Sequence, residues 1–278
     1  MKRTVNTTWY LSLAISDFVF CAFLPFNIAY GAMENWIFGK FMCKFSSWVM
    51  FLNMFSSIFL LVVISVDRCV SVMFPVWAQN HRTIKKASVV VVFAWVMAIV
   101  FSVPSMIYRD VGHHMHRTIC FNNYTAGTQS HTVIAVSRLL AGFVFPFIII
   151  IVCYSIIIVR LQTSRMAKST RPLKVMTALI ATFFICWLPY HVFVLLELNH
   201  HLYDRKVLDI GLKIFTSLAA ANSFLNPVLY VFMGNDFKQR LKSCLLSRME
   251  NALGEEGNTI SRYLSRTSSM DGRASTHI

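Results

Sequence analysis

Long apolar runs separated by short polar segments organise this chain. Six stretches, at about residues 5–30, 45–66, 87–108, 132–159, 175–196 and 214–235, are each long enough to cross a bilayer as a helix, which takes about 20 residues for a hydrocarbon core of about 30 Å. The second, third, fifth and sixth contain no Asp, Glu, Lys or Arg. The first is interrupted only by Asp17 and the fourth only by Arg138. Lipid offers the backbone no hydrogen-bond partners, so such runs are predicted to be helices. After the sixth run the pattern changes. Phe237, Leu241 and Leu245 recur every four residues, with Lys238, Arg240 and Lys242 between them. That predicts an amphipathic helix at 236–249 lying on the membrane face. Residues 250–278 are polar and predicted to be a disordered tail, which leaves residues 1–249 as the bundle.

Composition agrees. The 278 residues are 56% hydrophobic and 14% charged, against about 25% charged in an ordinary soluble domain. The net charge of +14 does not point to nucleic acid, because the basic residues sit in connections between apolar runs and not on one surface. Their distribution instead orients the chain. Threading the runs puts eighteen Lys and Arg on one side, among them Arg68, Arg82, Arg160 and the tail, and seven on the other, among them Lys40, Arg109 and Arg205. The richer side is predicted to be cytoplasmic, which places both ends of the chain inside the cell. A chain opening at a cytoplasmic loop leads to the expectation that one further helix precedes Met1.

Of the seven cysteines, Cys21, Cys69, Cys153 and Cys186 lie in or at the edge of apolar runs, where a thiol acts as a small hydrophobe. Cys43 and Cys120 fall in outer polar segments, where disulfides persist. Asn123-Tyr124-Thr125 is a glycosylation sequon on the outer side, whereas Asn6-Thr7-Thr8 is predicted to lie inside and is excluded. His113, His114, His116, His200 and His201 lack recognisable metal-ligand spacing and read as surface histidines. No internal repeat or ring of charge suggests a channel or transporter. No HExxH, GxSxG or paired carboxylates suggest an enzyme.

Charges inside the spans carry the chemistry. Asp17 near mid-membrane is expensive unless paired or solvated, so it is either a hydrogen-bonded packing residue or part of an ion and water pocket. Arg68 at the inner mouth either snorkels to headgroups or serves a partner. Arg138 lies about two turns into its span and either snorkels or faces an aqueous cavity. Arg grips a carboxylate through two parallel hydrogen bonds, so a ligand with an anionic end, such as a peptide C-terminus, suits it. Arg109 at the outer loop offers a second cation, and Glu197 beyond the fifth run suits an amine or Arg of a ligand. Trp187 is either a core aromatic or a moving part below the pocket. Pro189 and Pro227 interrupt helical hydrogen bonding. Ser265, Thr267, Ser268 and Ser269 lie near Arg262 and Arg266 as candidate phosphorylation sites for arrestin recruitment, and a merely solubilising tail explains them equally. Cys244 is a palmitoylation candidate.

Leu-Ser-Leu-Ala-Ile-Ser-Asp17, Asp67-Arg68-Cys69, Trp95, Pro146 with Tyr154, Cys186-Trp187-Leu188-Pro189-Tyr190 and Asn226-Pro227-Val228-Leu229-Tyr230 occur in this order on successive runs. Together they resemble helices two to seven of rhodopsin-like G-protein-coupled receptors, a seven-helix membrane bundle whose first helix is absent from this sequence. Cys69 departs from the family's usual Tyr. The resemblance implies a Cys43–Cys120 disulfide, and a sodium pocket of Asp17, Ser57, Asn222, Ser223 and Asn226 with no other cofactor or metal. It also implies Arg68 paired with Asp67 at rest, and Tyr154 and Tyr230 moving toward it on activation. A ligand site of Arg138, Arg109, Glu197, Trp187 and Tyr190 completes the picture. Val76-Trp77-Ala78-Gln79-Asn80-His81-Arg82 is similar to the chemoattractant group, which includes formyl-peptide, chemerin and prostaglandin D2 receptors. Ile119-Cys120-Phe121-Asn122-Asn123 and Leu195-Leu196-Glu197-Leu198 look most like chemerin receptors. The implied partners are an extracellular peptide or small protein, an inhibitory-type G protein, arrestin and membrane lipid at the plasma membrane. Formylated peptides, an anionic lipid mediator, or non-signalling scavenging on the same fold are the alternatives.

Overall fold

The computed structural model describes residues 4–114, 116–124, 128–163 and 171–233. By compactness the chain divides into residues 1–229 and 230–278, and of the second unit only the backbone of residues 230–233 is described. The amphipathic helix and tail predicted beyond that point lie outside the described residues.

Every predicted span is helical over its described residues. In chain order α1 covers Val5–Met33, α2 Gly39–Met73, a short α3 Pro75–His81, and α4 Ile84–Tyr108. A hairpin of β1 (Arg109–His114) and β2 (Arg117–Asn122) follows. Helix α5 (Thr128–Leu139) then runs through a π-helical turn, Leu140–Val144, into α6 (Phe145–Thr163) as one rod. Helices α7 (Arg171–Leu198) and α8 (Arg205–Met233) complete the described chain. Six of these rods are long and apolar enough to cross a membrane. They overrun the predicted spans at several ends, and α2 begins at Gly39 and ends at Met73. Apolarity marks only the hydrocarbon depth, while the hydrogen-bond ladder continues into the polar interface.

Caps fix two starts. Thr4 accepts the Thr7 backbone N–H at 3.2 Å, and Thr83 accepts that of Lys86 at 3.4 Å. Glu34 ends α1 in the left-handed region (φ 50°), its N–H donating to the Tyr30 carbonyl. Helix α2 is central. Its apolar window is 72% buried against 22% for α4, and it packs on α1, α4, α6 and α7. Helix α4 turns Val89, Val92, Phe93, Val96 and Val100 outward, the apolar exterior that lipid rather than water selects.

The outer loop is not wholly irregular. Residues 109–122 form an antiparallel pair in the register Arg109↔Asn122 to His114↔Arg117, an ordered ribbon that span-seeking periodicity does not detect. The Cys43–Cys120 disulfide, with Cα atoms 5.8 Å apart, ties it to the first turns of α2. Trp36 is buried against both cysteines, with Tyr30, Phe38 and Val111 packed around them. Trp36 N–H donates to the Thr118 carbonyl, and Thr118 N–H donates to Asn35 Oδ1, both at 2.8 Å.

Gly211 marks a close approach of α8 to α7, since a Cβ there would collide with the Phe193 ring. Gly211→Ala is therefore expected to cost about 1–3 kcal/mol from overpacking. A lowered melting temperature of the purified protein should report it, and Phe193→Ala should relieve it.

Candidate functional site

Polar residues gather at three levels of the bundle. At the hairpin end, Arg138 occupies the last turn of α5, directly before the π-helical turn. That turn holds more residues than an α turn and resets the face that Arg138 presents. Gly142 within it allows close packing on α2, where an added Cβ would lie 3.0 Å from Met54 Cε. Arg138 is only 8% exposed. Its Nη2 donates to Ser105 Oγ at 2.8 Å, and its Cζ lies 3.7 Å over the Phe51 ring, a cation–π contact. Its Nε is buried without a hydrogen-bond partner. Ion pairs among the described residues include Lys40–Asp110, Arg82–Asp67, Arg117–Glu34 and His131–Glu197. None neutralises Arg138.

Arg109 opens β1 and is also without an ion-pair partner among the described residues. Its Nη1 donates to Asn122 Oδ1 at 2.9 Å, and its Nε lies 3.3 Å from Cys120 Sγ. Desolvation lowers its pKa from the ordinary value, opposed by the phenols of Tyr190, Tyr30 and Tyr124. Burial pushes the Tyr124 phenol above its ordinary value, with Arg138 pulling the other way. The charges of Arg138, Arg109 and Glu197 all bear on Tyr124 and Tyr190, so the five residues form one electrostatic cluster. His131 stacks on Tyr124 with ring centroids 4.3 Å apart, and its Nε2 lies 4.0 Å from Glu197. Below them, Tyr190 meets Trp187 edge-on at 5.6 Å. Trp187 Nε1 and His191 Nε2 are buried without partners.

At mid-bundle, Asp17 accepts from Asn53 Nδ2 and Asn226 Nδ2, each at 3.1 Å. Ser223 donates to Asn53 Oδ1 at 2.9 Å, and Ser16 and Ser56 share a hydrogen bond of 2.5 Å. Ser57 Oγ and both amide atoms of Asn222 are buried without partners. Asn53 and Ser57 lie four residues apart on α2, as Asn222 and Asn226 do on α8, so each pair shares one helix face. Unsatisfied hydroxyl and amide oxygens near a carboxylate are the hard donors that a small cation and its waters take.

At the opposite end, the expected Asp67–Arg68 pair does not form. Arg82 takes both Asp67 oxygens, from Nε at 2.8 Å and Nη2 at 2.7 Å. With both oxygens held by Arg82, the Asp67 carboxylate makes no ion pair with the adjacent Arg68. Arg68 Nε is buried without a partner, and its charge bears on Tyr10 and Tyr154. Both tyrosines pack on the cluster of Val5, Trp9, Ile64, Ala87 and Met176. Pro189 and Pro227 lie inside α7 and α8. The Tyr230 side chain, Cys244, Ser265, Thr267, Ser268 and Ser269 lie outside the described residues. Asn123 is half-buried at the end of the hairpin, its N–H donating to the Tyr108 carbonyl at 2.7 Å.

Several partners were not foreseen. Asn53 stands as a polar residue in an apolar run, and the argument applied to Asp17 finds it. His191 carries the same signal beside Tyr190. Ser105, Phe51 and Arg82 carry none, because only the folded arrangement brings them to their charged neighbours.

A family model described as 7 transmembrane receptor (rhodopsin family) matches residues 1–230. The chain is 44% identical over 295 residues to chemerin-like receptor 1 of Sus scrofa, covering 98% of this chain and 81% of that protein. It is 46% identical over 274 residues to chemerin-like receptor 1 of Homo sapiens, covering 92% and 73%. Formyl peptide receptor 2 of Mus musculus is 40% identical over 287 residues, covering 96% and 82%. The chain belongs to the rhodopsin family of seven-transmembrane, G-protein-coupled receptors, as a multi-pass plasma-membrane receptor of the chemoattractant type and not an enzyme.

Proposed function

We propose that the receptor senses an extracellular peptide by its C-terminal carboxylate, in the manner of a chemerin peptide, and activates an inhibitory-type G protein. The observation that carries this is the buried, unpaired Arg138 guanidinium, with the unpaired Arg109 in the same cluster. Two desolvated cations without a carboxylate are poised for an anion that arrives from outside. Glu197 at the mouth adds an acceptor for an amine or guanidinium further along the peptide. Bound ligand would rest on Tyr190 and, through it, on Trp187 beneath. Cyclic-AMP and calcium responses to C-terminal chemerin peptides, formylated peptides and an anionic lipid test the choice. Response to the free-acid chemerin peptide, and not to its C-terminal amide, is expected. Equal response to the amide refutes the carboxylate reading.

Asp17, Ser57, Asn222, Ser223 and Asn226, joined by Asn53, fit a sodium ion with its waters, the oxygens of Ser57 and Asn222 being the unsatisfied ones. A cation bound there would favour the resting arrangement by holding α1, α2 and α8 together. Sodium chloride should then lower agonist affinity relative to choline chloride, by roughly tenfold if the coupling is about 1.4 kcal/mol. Asp17→Asn should remove that sensitivity. Identical affinity in both salts would refute the site.

A further inference from the structure

The Arg82 side chain joins three segments at the Asp67 end of the bundle. It is the C-cap residue of α3, its own N–H donating to the Ala78 carbonyl at 3.0 Å. Its guanidinium forks onto Asp67 near the end of α2, through Nε at 2.8 Å and Nη2 at 2.7 Å. The same Nη2 donates to Asn6 Oδ1 in the first turn of α1. Side-chain exposure is 26% for Arg82 and 14% for Asp67, so the pair is well shielded from screening by salt. A bidentate guanidinium–carboxylate pair is directional in a way that an ammonium cannot reproduce. Both Asp67 oxygens are thereby engaged, and the adjacent Arg68 has no ion pair among the described residues.

We infer that Arg82 is a positioning residue for G-protein coupling. It holds α3 across the ends of α1 and α2, and it keeps the Asp67 carboxylate away from Arg68. Arg68 then remains available to a cytoplasmic partner without first breaking a bond to its neighbour. Asn6 has a place in this device as the third leg of the clasp, which no glycosylation motif gives it. Without Arg82, the shielded Asp67 carboxylate lacks a counter-charge, and Arg68 is the cation next to it in the chain. The inference rests on the coupling proposed above.

The test uses the full chain in membranes with an inhibitory-type G protein and a free-acid chemerin C-terminal peptide as probe. Nucleotide exchange on the G protein, peptide affinity, surface level and amide hydrogen exchange across α3 are measured. Arg82→Gln is expected to slow exchange on the G protein about tenfold, the size of effect that one shielded charge pair carries, at unchanged peptide affinity and surface level. Adding Asp67→Asn should restore nucleotide exchange to at least half the wild-type rate, because the carboxylate that captures Arg68 is then gone. Amide exchange at α3 should rise in both variants, since both lack the clasp. Arg82→Lys should fall between wild type and Arg82→Gln. Full coupling by Arg82→Gln, or failure of Asp67→Asn to restore it, overturns the inference. If the wild-type chain drives no nucleotide exchange, the coupling reading and the Arg82 role in output fall together. Amide exchange then decides separately whether the clasp holds α3, and unchanged protection in Arg82→Gln refutes it.

Discussion

Arg138→Ala should raise the concentration of free-acid chemerin peptide needed for half-maximal response by at least about a hundredfold, with surface expression unchanged. Truncating one partner of a buried, hydrogen-bonded charge pair costs about 2–5 kcal/mol. The site is arranged for such a pair. Phe51 and Ser105 satisfy one face and one nitrogen of the guanidinium, while Nε stays unbonded. Expression should survive because no carboxylate within the described fold depends on Arg138. A peptide amidated at its C-terminus supplies the matching half of a double-mutant cycle. Wild type should lose potency for the amide, and Arg138→Ala should barely distinguish amide from acid. Lysine at this position should recover part of the loss, having the charge but not the fork. Additive losses for amide and Arg138→Ala would mean that the carboxylate binds elsewhere.

Cys120→Ser should reduce specific peptide binding by at least about tenfold, even in the fraction of receptor that reaches the cell surface. The disulfide crosses 77 residues, and closing so long a loop removes much chain entropy, for which about 2–5 kcal/mol is usual. The consequence is local to the site. Cys120 stands opposite Val111 in the hairpin register, and Arg109 opens the same ribbon. Releasing β2 from α2 therefore frees Arg109, whose Nε lies 3.3 Å from Cys120 Sγ. Cys43→Ser and the double substitution should match Cys120→Ser within error, since each removes the same bond. The Glu34–Arg117 pair and the Trp36–Thr118 hydrogen bond remain as weaker ties. They should preserve partial function, because exposed ion pairs contribute only about 0–1 kcal/mol. Wild-type binding by Cys120→Ser would show that the hairpin needs no covalent anchor.

What the sequence determined by itself is the set of rods and their motifs. Long runs without charge admit only helices in lipid, so the six spans were legible from apolarity alone, with ends misplaced where polar turns extend the ladder. Asp17 and Arg138 stood out because a charge in such a run is costly and must have a purpose. What only the tertiary structure decided is which groups meet. Apolar periodicity gives the depth of a residue but not its azimuth around the bundle. Hence Asn53, not Ser57, contacts Asp17 directly, and Ser105 from α4 serves Arg138. The hairpin register was hidden because its short strands carry no alternation. The pairing of Asp67 with Arg82, fifteen residues away, was hidden behind the nearer Arg68. Proximity in space is set by packing and not by order along the chain.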